Sequence, residues 1–101
     1  MILYNVTIKI DAEIAEEWMQ WMQKVHIPDV MATGLFEAHR ISRLLFQDES
    51  DGISYSMQYT LPDLQTLEKY QKEHAPRLQA EHTQRYKGRF VAFRTLMETV
   101  E

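Results

Sequence analysis

The chain has 101 residues and a formal net charge of −4, so residues 1–101 are expected to form one domain with a single modest core. Its residues are 45% hydrophobic and 26% charged, a composition typical of globular rather than disordered chains. The negative charge and the lack of a basic run interleaved with aromatic residues argue against a nucleic-acid partner, and the absence of cysteine excludes disulfide bonds and thiol chemistry.

The first residues already follow a strand pattern, which argues against a targeting segment. The stretch from Met1 to Tyr4 has neither the charged region nor the apolar region of a signal peptide. No apolar run approaches the ~20 residues that a membrane helix needs. We therefore expect a cytoplasmic protein without a membrane partner.

A half-buried strand followed by an amphipathic helix is predicted for the first part of the chain. Apolar residues occupy every second position of the strand and recur at intervals of three and four in the helix. The strand residues are Ile2, Tyr4, Val6, Ile8 and Ile10, and the helix residues are Ile14, Trp18, Trp21, Met22 and Val25. We expect Pro28 to end this helix, because proline lacks the backbone donor that a helix needs, and Gly34 to stop a short turn after it.

The remaining segments repeat this order. An extended stretch from Phe36 to Gln47 is followed by a polar turn and by a strand with apolar residues at alternate positions. A second helix follows, interrupted at Pro76, and its later part carries a stripe of Leu78, His82 and Tyr86. The last strand is expected from Phe90 to Val100. The order βαββαβ predicts an α+β, ferredoxin-like fold, in which helices cover one face of an antiparallel sheet.

A short motif occurs twice in the chain. Lys24-Val25-His26-Ile27-Pro28 recurs 48 residues later as Lys72-Glu73-His74-Ala75-Pro76. Each copy follows a predicted strand and helix, so the two halves are expected to be related by a pseudo-two-fold axis. The two histidines would then occupy equivalent places at the ends of the two helices.

The sheet face away from the helices is predicted to be an interface. It combines polar residues of the first and third strands with large apolar residues of the others, including Phe93 and Met97. An apolar surface of this kind is typical of an interaction site. We expect two subunits to pack sheet to sheet in a homodimeric α/β barrel.

Two stretches resemble a small bacterial family of unknown function that is common in Bacteroidetes. They are WMQKVHIPDVMATGLF, from Trp21 to Phe36, and GRFVAFRTLME, from Gly88 to Glu98. The order of helix, His-x-Pro, glycine and strand is also similar to the dimeric α+β barrel superfamily. That superfamily includes cofactorless monooxygenases, haem-degrading enzymes, muconolactone isomerase and ether-degradation-associated proteins. The resemblance implies a dimer and a pocket between sheet and helices, lined by His26.

The histidines of the repeat have two interpretations. Imidazole titrates near neutral pH and serves as a general acid or base, which makes His26 the candidate catalytic residue and His74 a candidate ligand contact. In the structural interpretation each ring contacts the free carbonyls at a helix end. A metal site is not predicted, because His74, Glu81 and His82 lack a compact helical ligand spacing.

Four further residues are candidates for ligand binding. Arg40 and Arg94 lie within predicted strands, where an inward guanidinium would hold a carboxylate or enolate through charge-assisted hydrogen bonds. Ion pairing between subunits or a solvated edge position is the favoured interpretation of these arginines. Tyr4 and Tyr55 are candidates because a buried phenol needs a partner for its hydroxyl group.

Three functional hypotheses follow from these residues. The first is a small-molecule binding protein with a pocket between sheet and helices. The second is a cofactorless enzyme, monooxygenase-like or isomerase-like, acting on a small organic acid or aromatic compound. The third is a structural or interaction module. No phosphate-binding, nucleophile-elbow or other cofactor motif is present, so no cofactor is predicted. The absence of a cavity above roughly 300 Å³, the low end for ligand sites, would favour the third hypothesis.

Overall fold

The computed structural model describes residues 1–101 and consists of a four-stranded sheet with helices on one side. In chain order the elements are β1 (Ile2–Asp11), α1 (Ala15–Trp21), α2 (Ile27–Met31), β2 (Ala38–Arg43), β3 (Gly52–Leu61), α3 (Leu64–Glu73), α4 (Ala75–Tyr86) and β4 (Phe90–Glu98). The predicted α+β, ferredoxin-like order is confirmed. None of the helices is long and apolar enough to cross a lipid bilayer.

The sheet is antiparallel throughout, with the strand order β2-β3-β1-β4. Tyr4 of β1 lies opposite Tyr59 of β3, and Val6 of β1 lies opposite Arg94 of β4. Because directly opposed residues of an antiparallel pair point to the same side, this register fixes one face for the helices. The even-numbered residues of β1 and β4 and the odd-numbered residues of β3 share that face.

The core fills the space between this face and the helices. The largest side chains that are fully buried include Ile10, Trp18, Met22, Leu61 and Leu78. Burial of one such side chain stabilises the fold by roughly 1.5–3 kcal/mol. The predicted apolar faces of the first strand and helix are therefore the faces that pack, except at Val25, which is 41% exposed.

The first helical segment does not end at Pro28, and that prediction was wrong. A π-helical turn, Met22–His26, joins α1 to α2 without interruption. In this turn the amide of Ile27 donates to the carbonyl of Met22, which is five residues earlier. The wider turn accommodates a proline that lacks an amide, so the chain continues as helix until the turn before Gly34.

The second copy of the motif behaves differently. His74 leaves the helical conformation, with φ −127°, and α4 begins immediately after it with Pro76 in its first turn. The predicted interruption near Pro76 is confirmed. His26 and His74 therefore do not occupy equivalent places: one lies within a continuous helical run and the other at a break between two helices.

The open face of the sheet, away from the helices, combines a polar centre with an apolar margin. The amide of Asn5 donates to Thr7 Oγ1 over 2.9 Å, and Asn5 also accepts from Ser56 of the adjacent strand. On β4 the side chains of Val91 and Phe93 are 67% and 63% exposed. Large apolar side chains thus remain in solvent on a face that no helix covers.

Candidate functional site

A cavity of about 260 Å³ lies between the helix-facing side of the sheet and the helices. Its apolar wall includes Val6, Ile8, Met22, Met57 and Phe90, and its polar groups are His26, Tyr59, Gln79, His82, Thr83 and Arg94. The volume is smaller than the roughly 300 Å³ expected for a ligand site. The space therefore suits a compact molecule, since a cavity of about 150 Å³ is enough to hold benzene.

His82 of α4 is buried in the wall of this cavity. The indole Nε1–H of Trp18 donates a hydrogen bond to His82 Nε2 over 2.9 Å. Because an indole nitrogen is only a donor, the accepting imidazole nitrogen has no proton. The neutral ring therefore carries its proton on Nδ1, and the hydrogen bonds of the protein leave that N–H without an acceptor.

The surroundings of His82 keep its imidazole neutral. Burial, and to a smaller extent the charges of the neighbouring His26 and Arg94, lower the pKa of His82 to about 4. The ring of Phe90 lies 4.5 Å from the His82 ring, edge to face. At neutral pH the residue is therefore an uncharged hydrogen-bond donor in an apolar setting.

His26, at the end of the π-helical turn, contributes a second imidazole to the cavity wall. Its ring stacks on Trp21 with 5.4 Å between centroids and lies 5.7 Å from the His82 ring. Its Nδ1 atom is buried without a hydrogen-bond partner. Burial lowers the pKa of His26 more than the nearby Asp29 and Glu81 raise it, so this ring is also neutral near pH 7.

Arg94 of β4 supplies the positive charge of the cavity. Its Nε–H donates to the hydroxyl group of Tyr4 over 3.1 Å. None of the six ion pairs in the structure involves Arg94, and no aspartate or glutamate lines the cavity. Both terminal amino groups of this guanidinium therefore have no protein acceptor.

A cluster on the helix surface holds Trp21 against the two histidines. The guanidinium of Arg85 lies 5.3 Å from the centre of the Trp21 ring, a cation–π distance. Arg85 also bonds the carboxylate of Glu17 at 3.0 Å, and the hydroxyl group of Tyr86 donates to the same carboxylate at 3.1 Å. The helical side of the site is thus fixed by packing and by hydrogen bonds.

The residues predicted from sequence are not all at the cavity. His26 and Arg94 line it, and Tyr4 lies behind Arg94 as its hydrogen-bond acceptor. Tyr55 lines a separate hollow between β3 and α1. Arg40 projects from the open face opposite Gln58, and the ring of His74 lies against Tyr70 between α3 and α4.

The sequence prediction missed His82 as a site residue. The helical stripe indicated only that His82 packs beside Tyr86, and the two rings lie 5.4 Å apart. The hydrogen bond from Trp18 spans 64 residues, so no local pattern reveals it. Gln79 and Thr83 were missed for the same reason: their positions flank His82 on α4, and only the tertiary packing makes that side a cavity wall.

The same fold occurs in solved structures of low sequence identity. A dimeric ferredoxin-like protein from an uncultured marine organism superposes with a TM-score of 0.73 at 14% identity, over 100% of this chain and 96% of that chain. A protein of the EthD (ethyl tert-butyl ether D) family from Bacillus halodurans gives 0.69 at 11% identity, over 99% and 100%. SnoaB from Streptomyces nogalater, a cofactor-independent oxygenase, gives 0.66 at 10% identity, over 99% and 94%.

These likenesses define the class of protein as ferredoxin-like α+β. More particularly, the chain belongs to the family DUF4286, a domain of unknown function, whose profile matches residues 1–100. The resemblance to a family of unknown function is confirmed. No curated protein matches the chain.

The two neutral histidines predict a stability that depends on pH. Because the pKa of folded His82 lies near 4, below the ordinary 6.5, the unfolded chain binds a proton first. The free energy of unfolding should be at its full value above about pH 7 and fall as the pH decreases towards 4, by on the order of 3 kcal/mol from this residue. Urea unfolding at a series of pH values across this range measures the decrease in the free energy of unfolding.

The matched variant is His82→Gln, which keeps an acceptor for Trp18 and does not titrate. Its free energy of unfolding should change less with pH than that of the wild type, whereas His39→Gln, which alters an exposed histidine, should retain the wild-type slope. Equal slopes for the wild type and His82→Gln would contradict the assignment.

Proposed function

We propose that this protein is a homodimeric small-molecule binding protein whose pocket lies between the sheet and the helices. The observation that carries the proposal is the polar side of the cavity: His26, His82 and Arg94 line it beside an apolar wall, and the Nδ1–H of His82 and the terminal amino groups of Arg94 have no protein acceptor. A few convergent polar groups in an apolar cavity are the usual form of a ligand site.

The volume of the cavity limits the class of ligand. A space of about 260 Å³ admits one ring with small substituents rather than a polycyclic compound. The apolar wall favours a hydrophobic body, and the polar groups favour at least one oxygen or nitrogen substituent. A compact organic acid or aromatic compound meets both requirements.

The open face supports a homodimer. Val91 and Phe93 are mostly exposed on it, and a second sheet packed against them would remove this apolar surface from water. The polar centre formed by Asn5, Thr7 and Ser56 is already hydrogen-bonded within the sheet, so it can be covered at little cost. The fold is also found in a protein described as dimeric.

A charge placed on the open face should dissociate the dimer. Phe93→Asp should give a one-chain mass by analytical ultracentrifugation at micromolar concentration, because an ionised carboxylate cannot be buried unpaired. Leu96→Asp is the control, since Leu96 lies on the same strand with 50% exposure but faces the helices' side of the sheet. A one-chain mass for the wild type, or a dimer of Phe93→Asp, would contradict the proposal.

Filling the cavity should abolish binding. We expect native mass spectrometry of gently purified protein to show two chains plus a discrete adduct, and Ala92→Phe, which places a ring in the cavity wall, to remove the adduct. Ala80→Phe adds the same ring on the exposed surface of α4 and should keep it. A bare two-chain mass for the wild type would instead favour the interaction-module hypothesis.

A cofactorless enzyme is the second candidate function, and the neutral His26 favours it. An imidazole with a lowered pKa is neutral near pH 7, so it can accept a proton from a bound C–H acid without first losing one. His82, held by Trp18, would donate to the oxygen of the same molecule. In this mechanism the two rings have opposite roles at one site.

Replacing the base should stop proton exchange but not binding. The wild type should accelerate deuterium incorporation next to the carbonyl of cyclohexanone, followed by NMR, and His26→Gln should lower that rate by roughly 10²–10⁴-fold, the contribution of general-base catalysis. His26→Gln should still bind cyclohexanone, and its free energy of unfolding should differ from that of the wild type by about 1 kcal/mol or less. No acceleration by the wild type would exclude this function for ketones.

A further inference from the structure

We propose that the cavity selects a single-ring ligand with an anionic oxygen, which binds between the guanidinium of Arg94 and the Nδ1–H of His82. Trp18 is the positioning residue that decides which nitrogen of His82 carries the proton. This inference rests on the binding function proposed above and names its ligand class.

The charge of the cavity wall is the first argument. The chain has a net charge of −4, yet the wall of this cavity holds one guanidinium and no carboxylate. Asp29 and Glu81, whose charges act on His26, are not part of the wall. Arg94 is an exposed residue, so water solvates its guanidinium in the empty protein, and an anion in the cavity would replace that water with charge-assisted hydrogen bonds.

The geometry of Arg94 is the second argument. Tyr4 accepts from Nε and so fixes one edge of the guanidinium. The two terminal amino groups remain free, and together they form the fork that binds carboxylate or enolate oxygens. The other strand arginine on the same side of the sheet, Arg43, already pairs with Glu49, which makes the free fork specific to Arg94.

The tautomer of His82 is the third argument. If Nε2 carried the proton, the free nitrogen would present a lone pair and repel an anionic oxygen. The bond from Trp18 excludes that tautomer, because an indole N–H cannot share Nε2 with a second hydrogen. The neutral imidazole of His82 therefore acts as a fixed donor through Nδ1–H. Because the ring is uncharged, it does not attract anions from solvent to the empty cavity.

The apolar wall and the volume complete the ligand class. Met57 and Phe90 offer surface for a ring, and the cavity has room for about one ring with a small substituent. An inorganic anion would leave this apolar surface uncovered, and a hydrocarbon would leave the donors unused. A benzoate-like, phenolate-like or cyclic enolate molecule uses both parts.

The experiment compares benzoate with benzamide, its neutral counterpart of the same shape, by isothermal titration calorimetry on the intact protein. Benzoate should bind the wild type roughly tenfold to hundredfold more tightly, the effect expected of charge-assisted hydrogen bonds. In Arg94→Gln the two affinities should differ by about twofold or less. Arg43→Gln, which removes a strand arginine outside the cavity, should keep the wild-type ratio.

Trp18→Phe tests the positioning role. It should lower the benzoate-to-benzamide ratio several-fold, and ¹⁵N NMR of His82 should show a mixture of tautomers in place of the Nδ1–H form. A ratio and a tautomer unchanged by this substitution would overturn the role of Trp18. Trp18 is fully buried. If Trp18→Phe does not fold, the ¹⁵N NMR measurement of His82 is made on the wild type instead. The Nε2–H form in the wild type would overturn the role of Trp18.

The result for the wild type separates this inference from the function on which it rests. Equal binding of the two probes, abolished by Ala92→Phe, would overturn the preference for an anion and leave the binding function intact. Failure of both probes to bind would overturn the inference together with binding of single-ring molecules at this cavity.

Discussion

The hydrogen bond from Trp18 to His82 joins the first helix to the last one through the middle of the protein. Both side chains are buried away from water, and each provides the hydrogen-bond partner that the other needs. Loss of one partner would leave the other unsatisfied, at a cost of roughly 1–3 kcal/mol. The same bond that closes the core therefore also sets the chemical character of the cavity, because it decides that His82 is a donor.

Alternation and helical spacing predicted the architecture correctly, since burial of the strands and helices obeys a local period. In β1 the apolar residues Tyr4 and Ile8 are buried against the helices, and on α4 the stripe of Leu78, His82 and Tyr86 packs as its spacing indicated. The ends of the elements and their contacts across the chain obey no such period. The cavity is made where α4 and β4 meet the π-helical turn, so its lining was beyond local reasoning.

The repeated motif shows the limit of a sequence repeat as a guide to structure. Two identical spacings of histidine and proline gave a π-helical turn at Pro28 and a helix break at His74. Proline removes one backbone donor in either case, and the chain can widen the helix or interrupt it. Which response is chosen depends on packing: Ile27 and Val30 are buried in the core and keep α2 attached to α1. His26, which lines the cavity, is the histidine that lies in the π-helical turn.

The polar side of the cavity is costly for a domain of this size, and this cost is an argument for function. The unpartnered Nδ1 of His26 lowers the stability of a fold whose total margin is of the order of 5–15 kcal/mol, and the lowered pKa of His82 reduces it further at acidic pH. Apolar side chains of similar volume would pack in the same places without desolvating nitrogen atoms. Arg94 is an exposed residue, and its guanidinium borders the same space without a carboxylate partner, although the chain carries more acidic than basic residues. Two buried imidazoles without a full set of hydrogen bonds, beside a guanidinium with no carboxylate partner, are typical of a functional site.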